Sequence, residues 1–184
     1  MAPLPTADDA GGRFVFLPIP RDALVVLVGV AGSGKSTFAR RHFSPTQVLS
    51  SDQLRALITD DPAAQAATDD AFDLLHRILA MRLRRGRLTV VDATNVEAWA
   101  RGELVAVARR HRRPAVAIVL DLPLPEVLRQ NLQRPAPRPP AAAIRRQHRW
   151  LHGTLAELPH EGFSAVHRLG SVAEVDQVRI RLLD

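Results

Sequence analysis

The sequence predicts an α/β domain, a mostly parallel sheet with helices on both faces. Three observations carry this. Leu24–Val28 and Ala115–Leu120 are unbroken apolar runs, the pattern of strands buried on both sides. Stretches with apolar residues at helical spacing alternate with these and other short strand-like runs, as βαβ units require. The chain has 184 residues and no cysteine, which suits one globular domain with no disulfide framework.

Residues 1–12 are expected to form a disordered tail and 13–184 a single domain. Phe14–Leu17 reads as a first strand ended by Pro18 and Pro20, and Leu24–Val28 as the strongest strand. Lys35–His42 opens the helical series, followed by a short strand over Gln47–Ser50. Phe72, Leu75, Leu79 and Leu83 mark a helix over Ala71–Arg85 that Gly86 ends. Leu88–Val91 is the next strand, Val96–His111 a helix, and Ala115–Leu120 a strand stopped by Pro123. Glu126–Arg134 is helical, whereas Arg134–Pro140 holds too much proline for regular helix. Ala141–Leu158 is a helix, Ala165–Leu169 the last strand, and Val172–Leu183 a closing helix.

Composition excludes several classes. The lack of cysteine removes thiol nucleophiles and Cys-ligated zinc. No apolar run approaches the ~18 residues that span a bilayer. The first residues carry Asp8 and Asp9 rather than a basic segment before an apolar one, so no secretory signal is expected and a cytoplasmic protein is. Basic residues number 25 against 19 acids, and Lys35 is the single lysine among them. An arginine-rich coding bias explains most of that excess. It also singles out Lys35, because a compact ammonium and a planar guanidinium do not substitute for each other in a tight cavity.

Gly29-Val30-Ala31-Gly32-Ser33-Gly34-Lys35-Ser36 fits G-x-x-x-x-G-K-[ST], directly after the strongest strand and at the start of a helix. Its glycines let backbone N–H groups curl around phosphate oxygens, and the helix terminus adds partial positive charge. Gly32, Ser33, Gly34, Lys35, Ser36 and Thr37 are therefore the expected nucleotide-binding set, with the Ser36 hydroxyl as a Mg²⁺ ligand. The whole reads as a P-loop NTPase with an adenylate-kinase-like parallel sheet. By analogy with adenylate-kinase-like folds, the five strands counted from Leu24–Val28 should stand in the order 2-3-1-4-5.

Ligands of such sheets bind beyond the carboxyl ends of the strands. Segments that follow strands should therefore meet the nucleotide: Ser50–Arg55, Asp92–Asn95 and 123–149. Asp52 reads either as a helix N-cap or as a general base for an acceptor hydroxyl. Arg55, three residues on, could hold an acceptor phosphate. Asp92 ends its strand as a Walker-B acid does, while Thr94 and Asn95 could cap the helix near Val96. Arg134 and Arg138 flank a Pro-rich segment and read as cations of an Arg/Pro-rich lid over about 126–150. Arg82, Arg84, Arg85 and Arg87, like Arg109, Arg110, Arg112 and Arg113, precede strands and belong at the opposite end as solvated helix termini. His148 and His152 lie i, i+4 without a third ligand pattern and read as ordinary helix residues.

The phosphate loop, Ser50-Ser51-Asp52-x-x-Arg55, Ala71-Phe72-Asp73-x-Leu75-His76 and Thr89-Val90-Val91-Asp92-Ala93-Thr94-Asn95 together resemble the 5′-OH polynucleotide kinase module of bacterial polynucleotide kinase-phosphatases, RNA end-repair enzymes. The resemblance runs from about Phe14 to the C-terminal segment. It implies ATP or another NTP as donor, Mg²⁺ as metal, and 5′-OH ends of RNA or DNA as acceptor. It further implies Lys35 and Ser36 on phosphate and metal, Asp52 as base, Arg55 on the phosphate beside the acceptor nucleotide, and Arg134 and Arg138 on the donor. Phosphatase and ligase modules are the implied partners. The family lid reads R-N-x-x-R-x-x-R; here Gln130 occupies the first arginine position, and Arg138 falls one residue late. Two other functions fit the same residues: a kinase of a small-molecule hydroxyl, and a non-catalytic nucleotide-binding module.

Overall fold

A computed structural model describes residues 14–134 and 138–184. The expected disordered tail over 1–12 and the centre of the lid, Pro135–Pro137, lie outside the described residues. Five parallel strands form the main sheet: β2 (Leu24–Val28), β3 (Val48–Ser50), β4 (Thr89–Asp92), β5 (Ala115–Leu120) and β6 (Ala165–Leu169). Their spatial order is β3-β4-β2-β5-β6, which is the expected 2-3-1-4-5. Placing β2 at the centre buries all five of its residues and sets the glycine-rich loop above the middle of the sheet.

Alternation along the strands assigns each face its cover. Leu24, Val26 and Val28 pack with Leu75, Leu79 and Leu83 of α3 (Thr68–Arg84), Leu104 and Ala108 of α4 (Ala98–Arg110), Val127 of α5 (Leu124–Leu132), and Ile144 and Leu151 of α6 (Ala141–Thr154). Val25 and Leu27 pack the other way, against Phe38 and Ala39 of α1 (Lys35–His42) and Leu17 and Ile19 of β1 (Val15–Pro20). Helix α2 (Ser51–Thr59) contributes Leu54 to the first of these cores.

The C-terminal segment corrects the sequence reading. In place of one helix over 172–183, a short α7 (Val172–Gln177) leads into β7 (Val178–Leu183). Val178, Ile180 and Leu182 alternate with Arg179 and Arg181, a period of two. That period lets Val178 pack inward while β7 pairs in parallel with β1. Strand β1 in turn runs through Pro18 to Pro20 instead of stopping at Leu17. Proline is tolerated there because β1 has a single strand neighbour, β7, among the described residues. Helix α6 ends at Thr154, four residues early, and Leu158–His160 form a separate 3₁₀ turn.

The arginines before β4 and β5 sit at the amino end of the sheet, away from the glycine-rich loop. Two of them do more than face solvent. Arg82 Nε donates to Thr89 Oγ1 (3.0 Å) and its Nη2 to the Leu88 carbonyl (2.9 Å). Arg113 pairs with Asp22 (2.5 Å) and donates to the Leu83 carbonyl (3.1 Å). Both brace the chain where it re-enters the sheet.

Candidate active site

The loop Gly29–Gly34 joins β2 to α1. Its start is fixed by the Gly29 N–H donating to the Thr94 carbonyl (2.9 Å). A Cβ on Gly29 would meet Ser33 Oγ at 2.7 Å and the Leu120 carbonyl oxygen at 2.9 Å, so the close approach to β5 demands glycine. Gly34 takes φ 92° as the residue before α1, a left-handed conformation in which side chains are strained. Farther round, the Ala31 N–H donates to Gln147 Oε1 of α6 (2.8 Å).

Lys35 is the first residue of α1 and is only 7% exposed. Its Nζ turns back onto the carbonyls of Gly29 (2.8 Å) and Val30 (2.9 Å). Burial pushes the ammonium down to about 8, against the charges of Asp92 and Asp52, which raise it; Arg134 lowers it further. Asp92, at the end of β4, is also buried, and burial pushes its carboxyl up. A hydrogen bond from the Ser36 side chain and the Lys35 charge work against that rise. Lys35, Ser36, Asp92 and Asp52 thus form one electrostatic cluster at the carboxyl end of the central strands.

Asp52 lies in the first turn of α2, whose N-cap is Ser50, and it makes no capping bond. The N-cap reading of Asp52 is therefore corrected. Its carboxylate instead accepts from Arg55 Nη2, one turn along the same face. The arginine is buried and anchored through Nε to the Pro62 carbonyl (2.9 Å), whereas the Asp52 side chain is 59% exposed. A fixed cation thus holds an open carboxylate in a single direction.

Asn95 also departs from its capping role. The N-cap of α4 is Glu97; Asn95 takes φ 48° and its Nδ2 donates to the Leu27 carbonyl (2.8 Å). It ties the loop after β4 to the end of β2, beside the phosphate loop. Arg101, fully buried, donates to the Asn95 carbonyl (2.9 Å) and pairs with Glu161 (2.5 Å). His152 of α6 meets Asp121 at the end of β5 (3.0 Å), Arg168 forks onto the same carboxylate (2.5 Å), and the His148 ring stacks on His152. The His152–Asp121 contact and the Ala31–Gln147 bond fasten α6 beside the phosphate loop. Gln147, Arg101 and Asp121 carry no motif, and only the fold brings them to the site.

The lid arginines are placed differently from one another. Arg134 is exposed and its charge reaches Lys35. Arg138 Nη1 donates to the Leu132 carbonyl (3.0 Å), back onto its own segment. Arg129 forks onto Glu126 (2.6 Å), and Gln130 Nε2 donates to the same carboxylate (2.9 Å). Asn131 is buried and its Nδ2 donates to the Pro139 carbonyl (3.0 Å), tying the end of α5 to the residues before α6.

These residues fit a Mg²⁺-nucleotide. Lys35 is a desolvated cation whose hydrogen bonds go to loop carbonyls alone. Ser33 Oγ is buried without a partner. The space beside Gly34 is open, since a Cβ there would meet nothing within 4 Å.

The chain matches the AAA domain family over residues 24–156. Among curated proteins there is no match. Among solved structures, a chain of the Pnkp1/Rnl/Hen1 RNA repair complex superposes with a TM-score of 0.64 at 23% identity, covering 81% of this chain and 49% of that one. This chain thus spans about half the length of that neighbour. A gluconokinase from Sinorhizobium meliloti gives a TM-score of 0.54 at 16% identity, covering 86% and 87%. The Mycobacterium tuberculosis APS kinase CysC, in complex with AMPPNP and APS, gives 0.53 at 20% identity, covering 86% and 93%. Identities this low speak for the fold alone. With its family match over 24–156, the chain belongs to the AAA domain family and has the α/β fold of P-loop kinases.

Proposed function

We propose that the chain is an NTP-dependent kinase that transfers the γ-phosphate of ATP to a 5′-hydroxyl end of RNA or DNA. The observation that carries this reading is the Asp52–Arg55 pair: an open carboxylate, held by an anchored arginine, within the electrostatic reach of Lys35. A nucleotide binder has no need of such a base. Its place in S-D-x-x-R, together with D-A-T-N after β4, supports a polynucleotide acceptor, as does the fold likeness to the RNA repair chain.

In this reading the loop N–H groups and Lys35 hold the β- and γ-phosphates, and Ser36 ligates Mg²⁺. The metal, when bound, screens charge between the phosphates. Asp52 accepts the proton of the 5′-hydroxyl as that oxygen bonds to the γ-phosphorus and the bond to the β-phosphate oxygen breaks, leaving ADP. Arg55 orients Asp52 and holds the phosphate next to the acceptor sugar. Arg134 and Arg138 swing onto the donor phosphates and neutralise charge that builds during transfer. That neighbour's assembly with Rnl and Hen1 in an RNA repair complex supports end-repair partners for this chain as well; a phosphatase and a ligase among them are what the sequence resemblance implies.

One observation favours a second reading. A groove of about 720 Å³ between α3 and α4 is lined by Thr94 and by four carboxylates, Asp69, Asp73, Glu97 and Glu103, against Arg110 and His76. Carboxylates suit a cationic, hydroxyl-bearing small molecule better than a polyanion. Incubation with γ-labelled ATP and a panel of acceptors separates the two. Label on 5′-OH RNA or DNA, with none on 5′-phosphorylated ends, supports the polynucleotide reading. Label on an amino sugar alone overturns it.

A further inference from the structure

We propose that the β1–β7 ribbon and the last turn of α1 form a docking track for single-stranded nucleic acid, leading away from the transfer site. The inference deepens the polynucleotide reading and rests on it. The ribbon's inner residues Leu17, Ile19 and Val178 are buried in the core. Its outer face interleaves aromatic rings with guanidinium groups. The Arg179 Cζ lies 4.1 Å from the centroid of Phe14, and the Arg181 Cζ lies 5.0 Å from that of Phe16. The core does not require this pairing, since Phe14 remains 42% exposed.

Charge selects the occupant. Arg179 and Arg181 stand on β7, Arg40 and Arg41 in the last turn of α1, and Arg21 just after β1. Asp184 answers Arg21 at 2.6 Å and Asp176 answers Arg41 at 2.7 Å. Arg40, Arg179 and Arg181 have no carboxylate partner among the described residues. Arg41, Arg179, Asp176 and His42 also line a cavity of about 440 Å³ in which His42 Nε2 is buried without a partner. Burial, with Arg41 and Arg179 nearby, holds that imidazole below its ordinary value, so it adds no charge at neutral pH. The surplus cations call for an anion, and the aromatic pairing calls for flat, stackable groups. A single-stranded polynucleotide offers both in alternation, and stacking of this kind tolerates any base.

The track also points the right way. Helix α1 starts at Lys35 in the phosphate loop and ends at His42 beside the ribbon. Arg40 lies between the two ends, and its charge still bears on Asp92. A strand whose 5′ end sits at Asp52 can therefore pass Arg40 and reach Arg179 and Arg181.

The test is fluorescence anisotropy of a labelled single-stranded 20-mer on the full chain across a salt series. It compares wild type, Arg179→Glu/Arg181→Glu, and the control Arg84→Glu/Arg85→Glu at the end of α3, which covers the other face of the sheet. The ribbon variant should bind at least tenfold more weakly. Losing two phosphate contacts should shallow the slope of log K against log salt by about 1.4, at roughly 0.7 per contact on a single strand. The control should change neither. If charge reversal unfolds the ribbon, Arg181→Ala alone should still weaken binding. In parallel, transfer to a nucleoside 3′-monophosphate should be unchanged in the ribbon variants while KM for the 20-mer rises. Equal effects of the ribbon and control variants, or none, overturn the track even if wild type phosphorylates the 20-mer. A wild type that binds the 20-mer through the ribbon but transfers phosphate to neither acceptor keeps the track and overturns the functional reading. A dimer in sedimentation that Arg181→Ala dissolves, with no oligonucleotide binding, makes the face a contact between copies and overturns the track.

Discussion

Lys35 carries a charge that the fold makes expensive and that a phosphate would relieve. Its pKa near 8 comes mainly from burial. The folded value lies below the unfolded one, so the unfolded chain binds more protons above pH 8, and the ligand-free fold gains stability as pH rises through that value. Phosphate binding runs the other way, because it needs the ammonium. We therefore expect kcat/KM for ATP to fall above pH about 8, with the alkaline limb of kcat displaced upward because bound triphosphate holds the proton on. A pH-rate series in which both limbs coincide contradicts this. Lys35→Ala should remove transfer while leaving the circular dichroism spectrum intact; retention of more than about a tenth of wild-type rate, ~1.4 kcal/mol, would sink the assignment. At this scale the sequence marked Lys35, Ser36, Asp52 and Arg55 through their motifs, but the bond from Arg55 to Asp52 is seen only in the structure. It misled at Asn95, whose residue type fits a cap as well as the brace on Leu27 that it makes. Gln147 was illegible, since its bond to Ala31 spans 116 residues and no spacing rule connects them.

Among the elements, the lid tests the account most sharply. Arg134 is exposed, Arg138 is folded back on the Leu132 carbonyl, and Arg129 is held by Glu126. For Arg138 to reach a donor phosphate, as proposed, it must leave the Leu132 carbonyl. Arg134→Ala should reduce kcat strongly, by about 10²-fold or more if it stabilises developing charge in the way that single oxyanion-hole donors do. Gln130→Arg restores the first arginine of the family lid and should leave kcat unchanged or raise it. Steady-state kinetics on the two variants decides: a silent Arg134→Ala, or a Gln130→Arg that abolishes turnover, contradicts the lid assignment. Element boundaries were legible where a break residue stands, as at Gly86. The C-terminal segment was not, because Val172–Gln177 is helical in pattern and the switch to period two at Val178 has no glycine or proline to announce it.

The whole molecule is arranged to hold loops at the carboxyl ends of five strands in fixed relation. Sheet order was legible only by analogy with adenylate-kinase-like folds, to which the glycine-rich loop pointed; the apolar run before that loop by itself marks β2 as a buried strand. What holds the helices over the site was less so. Arg101 is the largest fully buried side chain, and it joins α4 to Asn95, Thr154 and Glu161. A buried arginine in an arginine-rich chain has no sequence mark. Arg101→Met should cost about 3 kcal/mol, because it leaves the half-buried Glu161 carboxylate without its partner, and Arg101→Met/Glu161→Leu should recover much of that loss. Urea unfolding measures both; a single variant within ~1 kcal/mol of wild type would show that the pair does not hold α4 to the segment after the 3₁₀ turn at Leu158–His160.

The central claim is that Asp52 is the base for an acceptor hydroxyl on a polynucleotide. The most direct measurement is single-turnover transfer from γ-labelled ATP to a 5′-OH oligonucleotide, with nucleotide Kd measured alongside, for wild type and Asp52→Asn. The substitution keeps the size of the side chain and removes only its basicity. We expect label on the 5′ end with wild type, a ~10²–10⁴-fold slower rate with Asp52→Asn, and little change in Kd. A wild-type protein that labels no oligonucleotide, or an Asp52→Asn variant that turns over at a near-normal rate, would contradict the account.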